Sequence, residues 1–228
     1  MKVLPILFNT EMVQAILEGR KTQTRRVIKD PYYIEDEEVC RGMGFAFHKG
    51  TDVTHGMPYP DELYRPGDIL YVRETWAEWT GGYVYKADGA SSPYPLSFID
   101  RWHPSIHMPK AAARLFLRVE NVKVERLQES FNAPTTPILE VQAEGIDIGD
   151  TCRECLEAYT WPCCGEALDD DGSTIGECGM LDENRGEFSN LWDSTIKPAV
   201  IDRYGWAANP WVWVITFEPC EKPEEVKA

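Results

Sequence analysis

The longest apolar run in this chain, from Trp211 to Phe217, is only as long as a β-strand. Because a membrane-spanning helix needs about 20 consecutive apolar residues, we expect no membrane span. The β-branched and aromatic residues of this run are typical of the centre of a sheet. The chain has 228 residues, and its hydrophobic content of 43% is that of a packed globular protein. The apolar start, Met1 to Phe8, is followed by no small-residue cleavage site, so we predict a cytoplasmic protein without a signal peptide.

Shorter apolar stretches separated by turns predict an α+β fold. Val3 to Phe8 is predicted to be a buried strand, followed by a helix that Asn9 caps and Gly19 ends. Further predicted strands are 69–73, 83–85, 115–119 and 122–126, and further predicted helices are 104–114, 136–143 and 188–204. Residues 30–66 have no clear period and are predicted to be a long loop. Short strands that close into a small β-barrel, with helices at its rim, are the predicted architecture.

The charge of the chain is unevenly distributed. The net charge is −15, which argues against a protein that coats duplex nucleic acid over a broad face. The segment from Glu144 to Arg185 alone holds twelve acidic residues and two basic ones. In contrast, four of the seven residues from Arg20 to Arg26 are cationic. This cationic turn predicts a site for a small anionic or nucleotide-like ligand, and a solvated turn is the alternative.

An acidic insertion, 147–185, holds five of the seven cysteines. Disulfides are disfavoured in a reducing cytoplasm, and a Cys-x2-Cys knuckle with two further thiolates is typical of structural zinc. The predicted zinc ligands are Cys152, Cys155, Cys178 and one of the adjacent pair Cys163 and Cys164, of which we assign Cys164. Free thiols are the alternative. An acidic segment of this kind could also dock on a basic partner protein.

Several motifs together resemble ASCH domains, which are small β-barrels related to PUA domains. The first signature is Ile16 to Arg26, the second is Pro66 to Arg73, and the third is Ala143 to Ile146. Further stretches resemble a longer subgroup common in tailed phages and prophages: Glu74-Thr75-Trp76, His103 to Pro109, Leu191 to Asp193 and Asn209 to Val214. The resemblance implies an ASCH/PUA-like domain made of 1–146 and 186–220, interrupted by the insertion and followed by a tail, 221–228.

The resemblance also implies a function and a set of site residues. The family is thought to bind RNA or modified nucleosides in a cleft on the barrel, and a small bacterial member is an amidohydrolase of N4-acylated cytidine. By its motif, the catalytic residues implied here are Lys21, Thr24 and Glu144. A non-catalytic nucleic-acid-binding module and a phage protein that docks a host partner through its insertion are the alternatives.

The implied chemistry is consistent with the residue types. A threonine hydroxyl is a poor nucleophile and needs a nearby base. A lysine serves as that base when burial or neighbouring cations lower its pKa from about 10.4 toward neutrality. Such a cationic field could come from three arginines, Arg20, Arg25 and Arg26, and Glu144 could carry the proton to the leaving amine. Two alternatives stay open: Thr22 is an equally available hydroxyl, and Lys21 could pair with Glu144.

Two further residues are candidate ligand contacts. Arg73, at the end of a predicted strand, could hold a phosphate or a base edge in a bidentate manner, and a salt bridge to Glu74 or another acid is the alternative. Trp76 could stack on a base, as could Trp79, although large aromatics are more often part of a core. The pair His103 and His107 is spaced for a metal site on a helix, but Pro104 between them favours a capping or packing role.

Overall fold

The protein is described by a computed structural model over residues 1–28, 64–80, 82–94, 96–129, 131, 137–146 and 179–224. The described part is a mixed α+β structure, as predicted. Its strands are β1 (Val3–Leu7), β2 (Gln23–Val27), β3 (Ile69–Arg73), β4 (Trp76–Trp79), β5 (Gly82–Tyr85), β6 (Phe116–Arg126) and β7 (Trp211–Cys220). Its α-helices are α1 (Thr10–Leu17), α2 (Pro137–Ala143), α3 (Gly179–Thr195) and α4 (Ile201–Tyr204).

Five strands form one sheet in the order β1-β3-β6-β7-β2, and β4 and β5 form a separate hairpin. Strand β1 runs parallel to β3, with Val3 opposite Ile69. Strand β6 runs antiparallel to β3, with Arg118 opposite Ile69. Over the described ranges the five-stranded sheet is open, with β1 and β2 at its edges.

The chain divides into two compact units, each with a hydrophobic core. The first unit consists of Met1–Thr24, Pro58–Lys123 and Ile215–Ala228, and the second of Arg25–Met57 and Val124–Val214. A core cluster of the first unit contains Ile69, Trp76, Met108, Ala112, Ala113 and Phe116. A core cluster of the second unit contains Leu127, Phe131, Val141, Phe188, Trp192, Val212 and Val214.

The predicted strand and helix at the start of the chain are confirmed, but β1 is not the buried strand that was predicted, since Pro5 and Leu7 in it are exposed. Helix α1 begins after Asn9, whose Oδ1 accepts a hydrogen bond from the amide of Met12 at 2.8 Å, a standard N-cap. The helix ends at Leu17, and Gly19 directly after its C-cap, Glu18, adopts the left-handed conformation at a φ of 75°. The closing strand is also confirmed, since β7 includes all of the predicted run and continues to Cys220.

The predicted helix over 104–114 is wrong. Two short 3₁₀ turns stand there instead, Ser105–His107 and Lys110–Ala112. Met108 between them is extended, with a ψ of 123°. The physical reason is Pro109, whose ring disfavours the helical conformation in the preceding residue.

Two other predicted boundaries are corrected. The strands predicted over 115–119 and 122–126 are one continuous strand, β6, in which Glu120 and Asn121 are both exposed without forming a turn. The helix predicted over 188–204 ends at Thr195, because Pro198 cannot continue it, and the chain proceeds through a 3₁₀ turn into α4. In the described ranges, no helix is long and apolar enough to cross a membrane.

Candidate functional site

The cationic turn begins where the chain folds back over the end of α1. The amides of Arg20 and Lys21 both donate to the carbonyl of Ala15, at 2.9 and 3.0 Å. The left-handed Gly19 allows this reversal, since an L side chain is strained in that conformation. The amide of Phe217 then donates to the carbonyl of Thr22 at 2.9 Å. The first three residues of the turn are therefore fixed by backbone hydrogen bonds.

The cations of the turn lie in different environments. Arg20 forms an ion pair with Glu18 at 2.5 Å, and its side chain is 30% exposed. Lys21 is only 3% exposed, with its Nζ 5.7 Å from the centre of the Phe8 ring. Arg25 is also buried, whereas Arg26 is half-buried. The turn is therefore not a continuous cationic surface.

The two threonines of the turn also differ. Thr24 is 3% exposed, while Thr22 lies in solvent. Strand β2 begins at Gln23, so Thr22 directly precedes the strand and Thr24 is its second residue. The predicted reactive pair of the first unit, Lys21 and Thr24, thus consists of two side chains that are both held out of bulk water.

In the second unit, Arg25 is the centre of a buried carboxylate cluster. Its guanidinium donates to Glu144 at 2.7 Å, to Glu140 at 2.6 Å and to Glu125 at 3.1 Å. Glu140 lies on α2 and Glu144 directly follows α2. Residues four apart lie on the same side of a helix, so both carboxylates can reach the Arg25 guanidinium. The structure thus brings together two predicted site residues, Arg25 and Glu144, as an ion pair.

Aromatic rings complete the surroundings of the Arg25 guanidinium. Its central carbon lies 5.0 Å from the centre of the Phe131 ring and 5.8 Å from that of Phe188. Burial alone would lower the pKa of Arg25, but the charges of Glu144, Glu140 and Glu125 outweigh burial and raise that pKa. Arg25 therefore stays charged. Its Nε makes no hydrogen bond with the residues that the structure describes.

The first unit contains the other two predicted ligand contacts. Arg73, at the end of β3, donates through its guanidinium to the carbonyl of Ile106. Trp76, the first residue of β4, is 6% exposed and stacks on the His103 ring at 4.9 Å. His103 thus has the packing role that its sequence context favours.

Glu74 forms an ion pair that the sequence did not predict. Its carboxylate accepts two hydrogen bonds from Arg114, at 2.9 and 3.0 Å, and Arg114 also reaches Asp88 at 2.5 Å. Burial raises the pKa of Glu74, although Arg114 opposes that effect. The Arg114 guanidinium also lies 4.0 Å from the centre of the Tyr85 ring. The sequence analysis considered a salt bridge between Arg73 and Glu74. In the structure, the partner of Glu74 is Arg114.

Two of the acids around Arg25, Glu125 and Glu140, were also missed by the sequence analysis. Glu140 lies on the predicted helix and Glu144 directly follows that helix, so their spacing of four would have been a signal for Glu140. Glu125 gives no such signal, since nothing in the sequence around it shows that its side chain is buried.

The predicted zinc ligands Cys152, Cys155, Cys164 and Cys178 lie outside the described residues. Within the described ranges, no group of three or more His, Cys, Asp or Glu side chains is arranged to hold a metal ion. The zinc site therefore stays a prediction.

No protein-family model matches the chain, and comparison with curated proteins and with solved structures gives no match. The likeness to ASCH domains consequently rests on the quoted motifs.

Proposed function

We propose that the protein is an ASCH-type protein that binds a modified nucleoside or nucleotide, or RNA containing one, through Lys21 and Thr24. The observation that carries this proposal is the burial of both side chains, at 3% exposure each, only three residues apart. Binding and catalytic side chains are commonly found on loops held between rigid elements. Lys21 lies on the connection between α1 and β2, and Thr24 is the second residue of β2. The proposal includes the PUA-like form of the fold, in which the open sheet is part of a small barrel.

The same pair supports hydrolysis of an N-acyl group on a cytidine-type base. A lysine removed from water is suited to act as a base toward a neighbouring hydroxyl. In the proposed reaction, Thr24 Oγ attacks the acyl carbonyl and its proton passes to Lys21. The carbon–nitrogen bond breaks, the exocyclic amine leaves with that proton, and water then hydrolyses the threonine ester to release the acid. Thr24, rather than the exposed Thr22, is the threonine with a suitably enclosed hydroxyl.

The experiment is incubation of the protein with a panel of acylated and otherwise modified nucleosides, followed by mass spectrometry. We expect one acylated cytidine to be converted, and conversion to be lost in Lys21→Met and Thr24→Val. Thr22→Val is the matched control, because it removes the same hydroxyl from an exposed position two residues away. An absence of turnover and of retained ligand across the panel would contradict the proposal, as would equal losses in Thr22→Val and Thr24→Val.

A long cationic groove for polymeric nucleic acid has less support. Of the four cations in the turn, Arg20 is paired with Glu18, and Lys21 and Arg25 are buried. Neutralisation of several phosphates requires several exposed cations in a row. A single nucleoside-sized ligand is therefore the better match to the turn. The acidic insertion, for which a host-protein partner is the alternative, lies mostly outside the described residues, which resume at Gly179.

A further inference from the structure

The ring of Phe8 lies beside the lysine of the proposed site. The Nζ atom of Lys21 is 5.7 Å from the centre of the Phe8 ring, a distance within the range of a cation–π interaction. Both side chains are almost completely removed from water, with Phe8 5% and Lys21 3% exposed. In the sequence, Phe8 was only the end of a predicted strand, so the contact with Lys21 adds a residue to the surroundings of the site.

The fold holds both the Phe8 ring and the cationic turn in place. Phe8 directly follows β1, and its amide donates to the carbonyl of Arg73 at 3.2 Å. The Phe8 ring packs against the ring of Phe217, with 6.2 Å between their centres. The amide of Phe217 also donates to the carbonyl of Thr22, the residue after Lys21. A single residue of β7 therefore supports the ring and fixes the turn.

An aromatic ring beside an amine favours the charged form of that amine. The negative face of the ring attracts an ammonium ion, and this attraction is stronger where water is excluded. In the reaction proposed above, Lys21 takes the proton of Thr24 Oγ, becomes an ammonium ion, and then passes the proton to the exocyclic amine that leaves. The positive charge on Lys21 therefore develops beside a ring that is already in position, which is the arrangement that stabilises charge at no cost in reorganisation.

We propose that Phe8 is a positioning residue for this reaction, and that its ring face stabilises the ammonium ion that Lys21 forms. The inference rests on the proposed function, because only a lysine that accepts a proton during the reaction gains from such a ring. The alternative is that Phe8 only fills space beside Lys21, in which case the electrons of its ring have no effect on the lysine.

The experiment replaces Phe8 by trifluorophenylalanine in the full-length protein. Fluorine withdraws electron density from the ring face and keeps the shape of the ring. The readout is the pH at the midpoint of the Lys21 titration, followed by NMR of its Cε signal, which is identified by its loss in Lys21→Met. We expect this midpoint to fall by about 0.4–0.7 pH units, because the ammonium ion loses the attraction of the ring. The charges of the turn are the same in both proteins, so the difference between them reports the ring.

The same variant should also change the reaction. With an acylated nucleoside that the unmodified protein converts, we expect kcat to fall by about two- to fivefold and KM to stay the same, because the ring acts on a charge that forms only during the reaction. The rising limb of kcat against pH should move to lower pH together with the NMR midpoint. A ring that only fills space would move neither pH value.

Phe116 provides the matched control. It is 2% exposed, and its ring lies 5.9 Å from the Nζ atom of a different lysine, Lys222. Trifluorophenylalanine at position 116 should leave the Lys21 midpoint unchanged. Thermal unfolding verifies that both fluorinated proteins are folded.

Three results would overturn the role of Phe8. They are a Lys21 midpoint that stays or rises in the Phe8 variant, an equal fall in the Phe116 variant, and an unchanged kcat despite a lower midpoint. The titration needs no substrate, so it is independent of the nucleoside panel. Conversion of an acylated nucleoside with an unmoved midpoint would exclude the role of Phe8 alone, whereas a lower midpoint without conversion of any panel member would exclude the proposed reaction.

Discussion

At the scale of single residues, Arg25 shows that the partners of a side chain depend on the fold. The sequence analysis assigned it to ligand binding, because it stands in a run of cations. The structure instead surrounds it with Glu125, Glu140 and Glu144. Those partners lie at least 100 residues away along the chain. A sequence shows that a residue is an arginine but does not show which distant acids will enclose it.

We predict that Arg25→Met destabilises the protein by about 3–5 kcal/mol at neutral pH, because removal of one partner leaves buried charges uncompensated. Urea unfolding followed by circular dichroism measures the change. The loss should shrink as the pH is lowered and the carboxylates take up protons. Arg20→Met is the matched control, since its partially exposed pair with Glu18 should contribute no more than about 1 kcal/mol. Equal losses in the two variants would contradict a bracing role for Arg25.

Tyr85 gives a pH-dependent prediction. Its hydroxyl donates to the carbonyl of Ala112 at 2.6 Å. Burial raises the pKa of Tyr85 to about 12, although the charge of Arg114 opposes that effect. Since the fold favours the neutral phenol, its stabilising effect is complete below pH 10 and is lost as the pH rises toward 12.

The measurement is the free energy of unfolding of Tyr85→Phe between pH 7 and 11.5. We expect Tyr85→Phe to lower the free energy of unfolding by about 1 kcal/mol at pH 7, because a hydrogen bond is missing. As the pH rises further, the free energy of unfolding should fall less in this variant than in the unmodified protein. Tyr94→Phe, at an exposed position, should follow the unmodified protein throughout. If the free energy of unfolding fell equally with rising pH in Tyr85→Phe and in the unmodified protein, the raised pKa of Tyr85 would be contradicted.

At the scale of elements, the sequence predicted the features that depend on neighbouring residues. The Asn9 cap, the left-handed Gly19 and the strand β7 are local signals, and all three are confirmed. The continuity of β6 and the two 3₁₀ turns around Met108 were not predicted. A pair of exposed polar residues resembles a turn unless the paired strand is known, and a proline changes the conformation of the residue before it.

Two glycines test the helix signals. We predict that Gly19→Ala destabilises the protein by about 1–2 kcal/mol, because alanine is strained at a φ of 75° even though its Cβ would meet no atom within 4 Å. Gly186→Ala, inside helix α3, also has open space and should stabilise by about 0.5–1 kcal/mol. Thermal unfolding of both variants measures the difference, and shifts of the same sign would contradict it.

At the scale of the whole molecule, the α+β composition followed from the alternation of apolar stretches and turns, but the order of the sheet did not. The parallel pairing of β1 with β3 joins Val3 to Ile69, and nothing in either segment specifies that partner. The candidate site was predictable to a similar degree. Motif resemblance indicated Lys21 and Thr24 as candidates, while the carboxylates around Arg25 come from distant parts of the chain.

The net charge of −15 leads to a prediction for the intact chain. We expect no measurable binding to a 30-base-pair duplex RNA at about 0.15 M salt, because the acidic surface repels a polyanion. Fluorescence anisotropy with a labelled duplex measures this, and nucleoside binding measured in the same buffer is the control. Tight duplex binding with a steep dependence on salt would support the nucleic-acid-binding alternative instead.

The enclosure of Arg25 also makes this residue a spectroscopic reporter. Its guanidinium protons are held by carboxylates and covered by the rings of Phe131 and Phe188, so they exchange with water only when the second unit opens. Exposed arginines lose their side-chain signals to rapid exchange near neutral pH. The guanidinium N–H protons of Arg25 should therefore give an NMR signal near neutral pH. The exchange rate of that signal with water would report how often the second unit opens.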